Sequence, residues 1–182
     1  NNFYYIHQPF APSFDVEGYT ENPTRATGND CFTAHPSKDD WYETVKLNYG
    51  VFYQGSGEQQ FDPIPNTWHK MLHILLFWSN KGVDGFRCDM AEMVPQAFWA
   101  WVIPQVKAKY PNILFIAEVY NPNLYREYLA AGFDYLYDKV GMYDYLRGVT
   151  SKNWSAEGIT LQWQNVDDIR DHMLYFLENH DE

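Results

Sequence analysis

From Asp62 onward, short apolar runs alternate with stretches of helical spacing, and that alternation limits the possible fold more than any other feature of the chain. Trp68, Met71, Leu72, Leu75, Leu76 and Trp78 recur at helical spacing behind a cap at Asn66-Thr67, predicting a helix that ends near Lys81-Gly82. A strand-like run from Val83 to Met90 follows, then a helical stretch from about Gln96 to Lys109 that Pro104 should break or kink. Ile113 to Ala117 is a continuous apolar run of the kind buried parallel strands show. A short helix over 124–130, a strand over 133–137, a helical region over 139–147, a mixed one over 156–171 and a strand over 173–177 complete the series. Such alternation builds right-handed βαβ units on a parallel sheet, an α/β fold. Residues 1–60, rich in Asn, Asp, Gly, Pro and Tyr with little periodicity, read as an excursion of loops and short strands with no compact core in view; the regular part is 61–182.

Composition narrows the partners. A formal charge of -11 argues against nucleic acid, which calls for a basic face, and leaves a neutral or cationic partner. Nowhere do about 18 apolar residues run together, so no membrane span is expected, and the amino terminus lacks a signal-peptide pattern. Cys31 and Cys88 form neither a disulfide framework nor a CxxC pair, which leaves the compartment open. Aromatic residues make up 19%; their flat rings suit stacking on sugars, and they equally suit filling a core.

Three carboxylates stand at or just past the carboxyl ends of predicted strands, where parallel α/β proteins gather their chemistry: Asp89, Glu118 and Asp181. Arg87 lies two residues before Asp89, so in an extended strand the two project to one side while Phe86 and Cys88 project to the other. A guanidinium there favours the ionised form of Asp89, and desolvation behind an apolar strand would raise the pKa of Glu118, as a general acid needs. Taken singly, an Arg-Asp pair can be a plain ion pair, a Glu after a strand can cap a helix, and Asn-His-Asp is a common turn composition. Three strand-end acids in nearly consecutive βα units are harder to dismiss, since an ionised and a protonated carboxyl are the minimum equipment for breaking a glycosidic bond.

Gly85-Phe86-Arg87-Cys88-Asp89, Ala117-Glu118-Val119 and Asn179-His180-Asp181 resemble, in order, the fourth-, fifth- and seventh-strand motifs of the α-amylase family of glycoside hydrolases and transglycosidases. The resemblance covers about 62–182. It implies a portion of a TIM (β/α)8 barrel, strands four to seven, with residues 1–60 as the long loop after the third strand, often called domain B. A whole barrel takes about 200 to 250 residues, and the family's third-strand motif, Asp followed by Asn-His, appears nowhere before residue 62, so the rest of the barrel is the implied missing partner.

For function, the resemblance implies a retaining hydrolase of α-1,4-linked glucans or malto-oligosaccharides. Asp89 would be the nucleophile, Glu118 the acid and then base, and Asp181 the transition-state stabiliser, with Arg87 and His180 around the reacting sugar. A related α-glucosidase or transglycosylase, or a non-catalytic binding barrel, is the alternative, and a starch substrate would suit a secreted, periplasmic or cell-surface protein. Glu92 and Met93 occupy the positions where many α-amylases carry a Lys-His pair, so the leaving-group side is open; Glu92 stays a substrate-binding candidate, and Tyr120 could stack on that sugar. Calcium is possible but unplaced: Asp15, Asp30, Asp39 and Asp40 lie in the corresponding loop region without a dense oxygen-ligand spacing. His69 and His73, four apart on a predicted helix, have metal-binding spacing but no third ligand in view.

Overall fold

Tyr5–Ile6 (β1) and Thr24–Arg25 (β2) pair antiparallel, Tyr5 opposite Arg25 and Ile6 opposite Thr24, and residues 1–71 build a small core around this ladder. The computed structural model describes residues 1–182 and resolves two units, Asn1–Met71 and Leu72–Glu182. In the first unit Tyr4, Ile6, Ala26 and Ala34 are buried together, with Phe32 and Tyr53 packed against them. The expectation that residues 1–60 lack a compact core is therefore corrected. Periodicity does not announce this core because its members arrive singly from loops. They are pinned by polar bonds instead. The buried Tyr4 hydroxyl donates to the Val51 carbonyl at 2.5 Å, its pKa pushed up to about 12 by burial, and the Trp68 indole donates to the Tyr49 carbonyl at 3.0 Å.

Helix Asn66–Ser79 (α1) matches the spacing of its apolar residues and leads to the second unit. There strands Gly85–Cys88 (β3), Leu114–Ala117 (β4), Tyr135–Tyr137 (β5) and Met173–Leu174 (β6) lie in that order in one parallel sheet. Helices Gln96–Lys109 (α2), Tyr125–Ala130 (α3), Asp144–Ser151 (α4) and Gly158–Gln164 (α5) fill the crossovers. Parallel register sets Arg87 beside Ile116 and Ile116 beside Tyr135, so one row crosses the sheet on one face. At the start of β3, Gly85 faces Leu114 so closely that an added Cβ would stand 2.7 Å from the Leu114 carbonyl oxygen; only glycine lets the first two strands approach here.

Two details differ from the sequence reading. Helix α2 runs unbroken through Pro104. Proline removes one backbone bond and costs about 3 kcal/mol, but Phe98, Trp99, Val102, Ile103 and Val106 on the same helix are all buried, at about 1.5–3 kcal/mol each. Burial wins. The last strand covers Met173–Leu174 rather than 173–177, because β5 ends at Tyr137, the partner of Leu174, and no ladder partner remains beyond it. Tyr175 and Leu177 are accordingly exposed.

The core of the second unit is aromatic and aliphatic. Trp99 packs edge-on against Phe98 and Phe133 with ring centroids 5.0 Å apart in both pairs, and Phe133 meets Phe115 at 6.3 Å. Asp134 ties the sheet to α2, accepting from Lys107 at 2.7 Å and from the Phe115 amide at 2.8 Å.

Candidate active site

Arg87 leaves the end of β3 and divides its guanidinium between two acids: Nη2 donates to Glu118 Oε1 at 2.7 Å and Nη1 donates to Asp89 Oδ1. One planar cation thus holds both carboxylates side by side. The second Glu118 oxygen accepts the Met90 amide at 3.1 Å. That amide is aimed by an unusual backbone, since Met90 sits in the left-handed region at φ 43°, turning the chain sharply after Asp89. Two further backbone bonds, Glu118 amide to Cys88 carbonyl and Ala91 amide to Glu118 carbonyl, both 3.0 Å, fix the two strand ends to each other. On the other side of Arg87 the Tyr137 ring lies 5.9 Å from the guanidinium carbon.

The two acids occupy opposite environments. The Glu118 side chain is 5% exposed and that of Asp89 70%. Burial pushes the Glu118 carboxyl above the usual carboxylate range. The Met90 amide and Arg87 pull the other way, and the neighbouring Asp89 adds to the rise. A buried carboxyl with a raised affinity for its proton beside a solvent-exposed acid is the division of labour that acid–nucleophile chemistry requires.

Asp181 reaches this rim from farther out. Its strand ends at Leu174, so it stands on an extended segment, its amide bonded to the Asn179 side chain at 2.8 Å and its carboxylate 3.1 Å from His180 Nε2. His180 thus pairs with its own neighbour and is mostly exposed. Tyr120 connects the groups electrostatically: burial raises its phenol pKa, and the charges of Glu118 and Asp181 raise it further. Glu92 accepts the Asn121 amide at 3.1 Å, so its carboxylate braces the loop after β4.

A cation joins the acids at this end of the sheet: Lys139 stands two residues past the end of β5. Its ammonium bonds Asp144 at 3.1 Å and Glu182 at 2.9 Å, and lies 5.6 Å from the Tyr120 ring centre.

The candidate calcium acids do not form a ligand set. Asp30 bonds Lys46 at 2.5 Å, Asp40 accepts from the Ser37 amide and hydroxyl, and Asp15 accepts the Glu17 amide. The Asp39 amide donates to the Ser37 hydroxyl. No three His, Cys, Asp or Glu side chains converge on a metal position, and His69 and His73 are both exposed. A groove of about 910 Å³ and a pocket of about 550 Å³ are lined by residues of the first unit and include none of the three acids. No helix is long and apolar enough to cross a membrane.

No family model matches the chain. In sequence it is 29% identical over 136 residues to an alpha-1,4-glucan:maltose-1-phosphate maltosyltransferase of Cereibacter sphaeroides, covering 70% of this chain and 21% of that protein. The enzyme of the same name from Mycolicibacterium smegmatis is 39% identical over 69 residues, 37% of this chain and 10% of it. The chain therefore spans about a fifth or less of the curated relatives it matches. An alpha-amylase from Lactobacillus plantarum superposes with a TM-score of 0.61 and 28% identity, over 78% of this chain and 34% of that one. The fold likeness extends to 99% of this chain, and 36% of the other, in a cyclic alpha-maltosyl-(1-->6)-maltose hydrolase from Arthrobacter globiformis, with a TM-score of 0.66 and 19% identity. In sequence and in fold together the chain is similar to enzymes of the α-amylase family, and its parallel sheet with crossover helices corresponds to a portion of their (β/α)8 barrel.

Proposed function

We propose that the protein carrying this chain is a retaining glycosidase of the α-amylase type that acts on α-1,4-linked glucans or malto-oligosaccharides. In this reading residues 1–60 are its domain-B-like loop and 61–182 its barrel portion. The observation that carries the proposal is the guanidinium of Arg87 shared between an exposed Asp89 and a buried Glu118 whose proton is held by desolvation. Asp89 attacks the anomeric carbon and forms an ester while the glycosidic C–O bond breaks and the departing oxygen takes the Glu118 proton. Glu118 then accepts a proton from water or from a sugar hydroxyl, whose oxygen displaces Asp89. Two inversions give net retention. Asp181 offsets positive charge at the sugar between these steps, and Arg87 and His180 flank the reacting ring.

Transfer to a sugar acceptor is the second reading. It is favoured by the names of the maltosyltransferase relatives and by Glu92 and Met93 standing where many α-amylases carry Lys-His. Product analysis separates the readings when the complete barrel is given starch, maltoheptaose, or maltose 1-phosphate with a glucan acceptor. Internal cleavage marks an endo-acting hydrolase, single-glucose release an α-glucosidase type, and elongated glucans with phosphate release a maltosyltransferase. Asp89→Asn should abolish every one of these products. Turnover near the parent rate in that variant would overturn the assignment, and a barrel that binds malto-oligosaccharides without product would mark a non-catalytic relative.

A further inference from the structure

We infer that Lys139 is a positioning residue that holds Asp181 at the rim, acting through the adjacent Glu182. Three loops meet at this side chain. It begins the π-helical turn Lys139–Tyr143 after β5, its ammonium takes Glu182 from the segment after β6 at 2.9 Å, and it lies 5.6 Å from the centre of Tyr120, two residues beyond Glu118. A third contact, Asp144 at 3.1 Å, anchors the lysine at the start of α4.

Asp181 needs such a support. Beyond Leu174 its segment has no ladder, and its own contacts, Asn179 and His180, belong to the same segment and cannot fix it against the rest of the sheet. Phe176 anchors the start of the segment, stacked on Tyr143 at 4.8 Å and edge-on to Tyr137 at 5.7 Å, and Glu182 supplies the anchorage next to Asp181 itself. The Glu182 carboxylate is held by Lys139, Arg147 and the Tyr143 hydroxyl, all on or just after the π-turn, and these cations keep it below the usual carboxylate range. The turn itself is built to present the lysine. Buried Asp138 precedes it and accepts the Gly141 amide at 3.1 Å and the Tyr125 hydroxyl at 3.3 Å, and a Cβ at residue 141 would run into that carboxylate. The ammonium therefore stands on a rigid base. Its side chain is one-fifth exposed and both its ionic partners are acids, so it works as a latch between the segments after β5 and β6 rather than as a mobile surface charge.

The inference rests on the glycosidase reading, in which Asp181 acts at the transition state, and a double-mutant cycle on the complete barrel tests it separately. With an aryl maltoside as substrate, Lys139→Met should lower kcat at least about tenfold in the parent, because small misplacements of a transition-state group are costly. In an Asp181→Ala background the same substitution should change kcat less than about twofold, since the group it positions is gone. Lys139→Arg should restore most of the loss. Glu182→Gln, which removes the other half of the latch at the surface, should repeat the pattern and carries the test if Lys139→Met unfolds. An equal loss in both backgrounds, or no loss in the parent, overturns the inference. Full turnover by Asp89→Asn would instead overturn the glycosidase reading beneath it.

Discussion

In residues 1–71 many of the buried side chains are small or carry polar atoms with distant partners: Ala26, Ala34, Thr24 bonded to the Gln8 carbonyl, Tyr4 bonded to Val51, and Lys46 paired with Asp30. In residues 72–182 large apolar side chains dominate the buried set, with Phe98, Ile103, Phe115 and Leu136 all essentially inaccessible to solvent. The first unit is held by polar pins between loops and the second by a layer of hydrocarbon between helices and sheet. Polar pins contribute about 1 kcal/mol apiece, whereas each buried hydrocarbon side chain contributes about 1.5–3 kcal/mol. Only the second kind of order is stiff enough to place carboxylates to within a hydrogen bond at strand ends, and it is there that Asp89 and Glu118 stand.

Substitutions can break or sharpen this contrast. Glu118→Gln, at the rim of the stiff unit, should cut kcat about 10²–10⁴-fold with little change in Tm, measured by steady-state kinetics and calorimetry. Because its folded carboxyl lies above the usual range, it loses its proton only at higher pH. The alkaline limb of kcat/KM should therefore fall above the ordinary carboxylate range in the parent enzyme. A limb within that range would show that burial does not control this acid.

Phe115→Ala in the hydrocarbon layer should cost about 3–5 kcal/mol in denaturant unfolding, since Phe115 is fully buried beneath α2. Tyr4→Phe in the first unit removes one pin and should cost about 1 kcal/mol in the same measurement. Equal costs would erase the contrast.

Asp138→Asn should give the smallest change, under about 1 kcal/mol, because it touches the one polar misfit of the second unit. Asp138 Oδ2 is buried without a partner, and burial raises the carboxyl above its ordinary value. The folded state thus binds the proton more tightly than the unfolded state does, and stability contributed by this group declines as pH rises through the folded pKa. The Asn variant cannot ionise, so its Tm relative to parent should improve from pH 4 to pH 8. A constant difference across that range would show that the misfit costs nothing.

Much of the second unit is legible in sequence because burial there follows a period. α2 spans Gln96–Lys109 as its spacing predicts, and the strands begin and end within a few residues of the apolar runs. Where the reading slipped, a longer-range effect decided the outcome. Pro104 is tolerated because the rest of its helix is buried, and β6 stops where its neighbour stops. The acids were legible as strand-end residues, but their environments were not. That Glu118 is buried while Asp89 is open depends on the left-handed turn at Met90 and on the partners across the sheet. Lys139 was missed because its partners lie on three different loops, a juxtaposition that no local pattern encodes. The first unit stayed unread for the same reason, since Tyr4 and Val51 are joined by a bond across 47 residues.

The guanidinium shared by Asp89 and Glu118 also makes the pair self-timing under the proposed mechanism. Burial raises the Glu118 carboxyl throughout, and while Asp89 carries its negative charge it adds to that rise and favours the proton that is to be donated. Once Asp89 becomes a neutral ester, that repulsion vanishes and Arg87 is left to act on Glu118 alone. The same side chain then yields its charge more easily and is ready to accept a proton in the second half of the cycle. The bond that the nucleophile makes is itself the signal that turns the acid into a base.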